Sequence, residues 1–107
     1  MAIIKINEGT TAWVTLAFKD RAGAPVSPTS MIYRIDCMTS GAAITPPTTI
    51  LLPGTTPEIT ITALENALQD QNNPQEYRRM TITANYGLAD VLNSTFDWTV
   101  NNLNYIP

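Results

Sequence analysis

Glu76-Tyr77-Arg78-Arg79-Met80-Thr81-Ile82-Thr83-Ala84-Asn85-Tyr86 runs into Gly87-Leu88-Ala89-Asp90, and then into Val91-Leu92-Asn93-Ser94-Thr95-Phe96-Asp97-Trp98-Thr99-Val100. Met80, Ile82, Ala84 and Tyr86 alternate with polar neighbours in the first run. Phe96, Trp98 and Val100 share one face of the second, with Thr95, Asp97 and Thr99 on the other. A period of two is the signature of a strand with one face on a core. The glycine-led connector closes the pair as a hairpin.

The same period recurs upstream. Ile4 and Ile6 flank Lys5 in a short first strand that stops at Asn7-Glu8-Gly9. Thr11 to Lys19 sets Ala12, Val14, Leu16 and Phe18 on one face, with Trp13, Thr15 and Ala17 on the other. Asp20-Arg21-Ala22-Gly23 reads as a turn, because Asp bonds its own following backbone and Gly tolerates positive φ. Met31 to Met38 forms a third strand with Met31, Tyr33, Ile35 and Cys37 together, while Arg34 and Asp36 are positioned to pair with neighbouring strands. Ala42–Thr45 and Thr48–Leu52 are short strands on either side of Pro46-Pro47, which cannot donate to a ladder and so mark a sheet edge. Ile59 and Ile61 alternate with Thr60 and Thr62; Ala63 to Leu68 is a single helical turn crossing between sheets. About seven strands at this spacing predict an all-β, two-sheet β-sandwich. Residues 1–100 form one domain, and 101–107 an Asn-rich C-terminal arm.

Composition narrows the chemistry. The chain has 107 residues, 44% of them hydrophobic and only 14% charged, too apolar for a disordered polymer. Six basic residues against nine acidic ones give a net charge of −3. Lys5, Lys19, Arg21, Arg34, Arg78 and Arg79 are scattered, whereas a phosphate backbone is gripped by clustered cations; nucleic acid is not an expected partner. No window is long enough for a membrane span. The absence of His removes imidazole bases and ligands. Cys37, alone, allows no internal disulfide or thiolate metal cage and reads as a small buried hydrophobe. Asp36 and Asp97 are the one pair of strand carboxylates to weigh for acid–base chemistry. Nothing in their spacing fixes a shared pocket, and Arg34, Arg78 or Arg79 would balance them on a solvated face. No enzyme activity and no cofactor is expected. Among the aromatics, Trp13 or Trp98, if exposed, would offer a stacking platform for sugars or a protein hot spot.

Ile6-Asn7-Glu8-Gly9-Thr10, Val14 to Phe18, and Asp20-Arg21-Ala22-Gly23-Ala24-Pro25-Val26-Ser27-Pro28 lead into Tyr33-Arg34-Ile35-Asp36. Together they resemble small immunoglobulin-like structural proteins of tailed bacteriophages and prophages, which begin with a similar INEG strand and carry a DxxGxPVxP…YRID stretch. The resemblance covers roughly the first 40 residues and extends loosely to the later strands. A weaker likeness to fibronectin type III modules rests on Trp13, Tyr33, Leu64, and Tyr77 with Ala84-Asn85. It requires a bulge near Arg78-Arg79 to bring Tyr77 into a tyrosine corner.

The resemblance implies an immunoglobulin-like sandwich and a non-enzymatic virion role: a capsid decoration (cement) protein, or a head–tail connector or tail component. Such a protein is made in the bacterial cytoplasm and located in the virion. Its partners would be major capsid, portal or tail subunits, with homo-oligomers in the particle compatible with this role. Edge strands and terminal arms are the expected contacts: Ile3, Ile4 and Ile6 at the N-terminus, Ile50 and Leu52 after the prolines, and Tyr105 and Ile106 in the arm. The alternative is a carbohydrate- or host-surface-binding module that uses an exposed tryptophan.

Overall fold

A computed structural model describes residues 4–20, 22–87 and 91–103. Seven strands follow in chain order: β1 (Ile4–Asn7), β2 (Ala12–Thr15), β3 (Ser30–Cys37), β4 (Ala43–Leu51), β5 (Glu58–Ile61), β6 (Gln75–Asn85) and β7 (Val91–Asn101). Five pair in the order β1-β7-β6-β3-β4, and β2 with β5 forms a second, two-stranded sheet. The expected all-β, two-sheet arrangement is what the chain adopts. The β6–β7 hairpin at its centre keeps an unbroken register from Gln75↔Asn101 to Asn85↔Val91.

β1 is the one strand laid parallel to its neighbour, Ile4 opposite Trp98 through Asn7 opposite Asn101. A parallel strand cannot turn straight back, so the chain leaves the large sheet for the small one. Gly9, at φ 67°, makes that exit, and its N–H is received by the Asn66 carbonyl. Beyond Thr15, the N–H groups of Leu16 and Phe18 still bond the carbonyls of Pro57 and Thr55. The expected Thr11–Lys19 alternation therefore persists in side-chain direction, although the regular ladder is shorter. The Asp20 turn forms as expected: its Oδ1 accepts from the N–H groups of Ala22 and Ala24, and Gly23 sits at φ 86°.

The two strands expected around Pro46-Pro47 are one continuous β4. Tyr33 faces Thr48 and Ile35 faces Thr45, so β4 carries an extra residue where the prolines lie; a second irregularity follows between Ile35 and Asp36. Bulging accommodates residues that cannot donate, and β4 is an edge, as the prolines predicted.

The core lies between the sheets. Val14, Phe18, Ile59 and Ile61 pack from one side on Met31, Ile35, Met80, Ile82, Ala84, Trp98 and Val100 from the other. Phe18 meets Tyr86 edge to face at 6.1 Å. Burying each such aliphatic or aromatic side chain contributes about 1.5–3 kcal/mol against the entropy of ordering the chain.

Candidate functional site

At the end of the core near the crossing turn, β6 turns two charged side chains inward. Glu76 and Arg78 are both fully buried, joined Nη2 to Oε1 at 2.6 Å. The turn and loop between β5 and β6 form their cage. Thr62 and Glu65 cap the turn reciprocally, each N–H bonding the other's side chain. The turn's carbonyls at Glu65 and Ala67 then accept from Arg78 Nη1 and Nη2 at 2.7 and 2.8 Å. Glu76 in turn accepts from the N–H groups of Gln69 and Asp70 and from Asn73 Nδ2, all at 3.0 Å. Asn66, also fully buried, receives Trp98 Nε1 at 2.9 Å and donates to the Thr10 carbonyl. Cys37 is a free buried thiol near Glu76, the small-hydrophobe position read from its strand. This cluster clamps the crossover to the large sheet and is closed to solvent; its chemistry is structural.

The expectation that Arg78 serves as a surface counter-charge is therefore corrected. It shares the inward parity of Met80, and the loop carbonyls replace the water lost by its two terminal nitrogens, while Nε has no hydrogen-bond partner among the described residues. The tyrosine corner also fails: no register shift occurs at Arg78-Arg79, and Tyr77 lies on the outer face.

Burial alone would push the Glu76 carboxyl up, but bonds from the Gln69 N–H, Arg78, Asn73 and the Asp70 N–H outweigh it and hold it below its ordinary 4.5. A depressed folded-state pKa stabilises the fold above the unfolded value and is lost as protons bind below it. We expect the urea midpoint to stay level above about pH 5 and to fall below 4.5, with a shallower acid limb in Glu76→Gln. Equal acid slopes in the two proteins would contradict this assignment.

Asp36 and Asp97 lie in one cross-strand row of the outer face, with Arg79 between them. Each carboxylate is engaged by a two-pronged guanidinium. Arg34 reaches Asp36 through Nε and Nη2, both at 2.9 Å, and Arg79 reaches Asp97 at 2.9 and 3.0 Å. Arg34 thus pairs with its own strand rather than a neighbour, because positions two apart share a face. The two carboxylates sit on an open sheet face, each with its own arginine.

The candidate contact residues divide. Ile4 (51% exposed) is on edge strand β1, and Leu52 (78% exposed) follows edge strand β4 at a positive φ of 48°. Ile6 and Ile50 are on those edges too, but their side chains turn inward and pack against the core. That corrects their expected availability: Ile4 shares the parity of Ile6, so what separates them is cover, which is lost at the strand end. Ile3, Tyr105 and Ile106 lie outside the described residues. The arm begins later than Asn101, which ends β7; Asn102 Nδ2 binds the carbonyls of Gln71 and Asn73, and the Leu103 N–H binds Glu8.

The tryptophans separate cleanly. Trp98 is fully buried beside Phe96, which removes it as a stacking platform. Trp13 is 61% exposed on the outer face of the small sheet, opposite Thr60. Exposed apolar residues missed in the sequence include Leu51 beside Leu52, Val91 and Leu92 at the start of β7, and the isolated Met38, Leu64 and Leu103. Comparison with family models, curated proteins and solved structures finds no match to this chain.

Proposed function

We propose that this chain is a non-enzymatic virion structural protein of a tailed bacteriophage, with an immunoglobulin-like fold. Its role is capsid decoration or a head–tail connector or tail component. The strand order supports the fold reading. Taking β1 to β7 as A′, B, C, C′, E, F and G puts G-F-C-C′ in one sheet and B-E in the other, the immunoglobulin pattern. The INEG and YRID stretches support the source.

The observation that carries the contact mechanism is that Ile4 and Leu52, both exposed, stand at opposite edges of the large sheet. Edge strands offer main-chain hydrogen bonds, and their alternate side chains supply specificity. Major capsid, portal or tail subunits are the proposed partners. Purified protein should co-sediment saturably with particles lacking it, and Ile4→Asp or Leu52→Asp should weaken that binding without unfolding the domain. Failure of the wild type to co-sediment would contradict the proposal.

A second reading, binding of carbohydrate or a host surface, is favoured by one feature: the exposed indole of Trp13 on an otherwise small, polar face. Saturable quenching of its fluorescence by glycans, abolished in Trp13→Ala, would support that reading over a purely structural role.

A further inference from the structure

The outer margin of β7 is only partly covered. The Glu8 N–H bonds the Asn101 carbonyl on the β1 side, while the Asn102 N–H bonds Pro74 on the β6 side. Odd-numbered residues of β7 therefore direct both N–H and C=O away from β6. Among the described residues, β1 covers β7 only from Trp98 onward, with Ile4 opposite Trp98. Val91, Asn93 and Thr95 consequently aim their main-chain groups at no partner strand among the described residues.

The other two margins of the large sheet leave only short runs of main chain to a partner. β1 is short and carries Lys5, and β4 carries Pro46 and Pro47 within a bulge. Val91 to Phe96 has no charge, no proline and no glycine, its register with β6 is unbroken, and Val91 and Leu92 are 54% and 44% exposed. Among the described residues nothing covers it, and it offers a template for a strand.

We propose that this margin is a homodimer interface, in which β7 pairs antiparallel with β7 of a second copy about a two-fold axis at Asn93. Several features select a second copy as the occupant. In this register Val91 faces the partner's Thr95, and Asn93 faces Asn93 of the partner subunit. Every outward N–H and C=O of Val91, Asn93 and Thr95 is then bonded. Odd residues meet odd residues, so each copy's outer face continues into the other's, and Leu92 meets the partner's Ser94 on the inner face. The Asn93 side chain uses its oxygen for Thr83 Oγ1 at 2.8 Å and keeps its amide N–H groups for its counterpart. Two chains of net charge −3 meet here along a segment with no charge to oppose. The result joins two five-stranded sheets into one continuous sheet. The inference stands apart from the virion reading.

Sedimentation of the full chain from low micromolar to near-millimolar concentration tests it. The wild type should pass from monomer to dimer. Asn93→Pro removes an N–H that β6 does not use, and should weaken the dimer about tenfold or more through loss of its central bonds. Asn93→Cys gives an independent readout, since directly opposed residues about 5.5 Å apart can be bridged. Mild oxidation should link two chains through the introduced thiols, with Cys37 remaining buried and unlinked. A wild type that stays monomeric throughout would overturn the proposal. So would a dimer undiminished by Asn93→Pro, or one that the position-93 thiols do not link.

Discussion

Arg78→Met should lower the free energy of unfolding by about 3–5 kcal/mol, because it leaves the buried Glu76 carboxylate without its counter-charge. The same change strips the donors from the Glu65 and Ala67 carbonyls, so the capped turn loses its attachment to the sheet. Since domains of this size have only about 5–15 kcal/mol to lose, the variant should sit near the limit of folding at room temperature. Urea titration reads the effect as a lower midpoint at unchanged slope. The double variant Arg78→Met/Glu76→Gln should recover part of the loss, since it no longer buries an unpaired charge. Arg79→Ala, one strand position away but on the open face, should leave the midpoint close to wild type. Equal effects at positions 78 and 79 would mean that the inward placement of Arg78 is wrong.

Trp98→Ala should cost about 3–5 kcal/mol, the range for truncating a large buried aromatic. Two losses combine: the packing of a fully buried ring, and the hydrogen bond from Nε1 to Asn66 Oδ1. Trp98→Phe separates them. It keeps most of the ring while leaving the Asn66 oxygen unpaired, which should cost about 1–3 kcal/mol. Trp13→Ala, on the exposed face, should change stability little. A chain in which Trp13→Ala is the more damaging change would invert the two faces of the sandwich.

Much of this fold was legible because alternation in a strand is a direct consequence of backbone geometry. Val14 and Phe18, Met31 and Ile35, Met80 to Ala84, and Trp98 with Val100 all point where their parity sends them. Pro46-Pro47 revealed an edge because a missing N–H cannot serve a central strand, although the bulge that merges two segments into one β4 left no separate mark. Arg78 was misread, and Glu76 passed over, for a physical reason. Their parity matched Met80, but charge usually wins over parity unless partners are waiting. Those partners are mostly main-chain groups of residues 65–70, which sequence does not advertise. The one local sign was the Thr62…Glu65 cap, which fixes where that turn begins.

The candidate contacts were legible to a lesser degree. Ile4 and Leu52 are exposed at the ends of edge strands, whereas Ile6 and Ile50, two residues further in with the same parity, pack against the core. An apolar edge residue is therefore half an argument until the extent of the core beneath it is known. The open margin of β7 was invisible in sequence, because it depends on where the parallel β1 strand begins to cover it.

The virion proposal places the gene in a phage or prophage, and peptide mass spectrometry on purified particles of that phage tests this central functional claim most directly. The virion proposal predicts this protein in the particle: at abundance comparable with the major capsid protein if it decorates the head, or nearer that of the portal if it belongs to the neck or tail. Its absence from purified particles would contradict the proposal and leave the exposed Trp13 face as the surface to pursue.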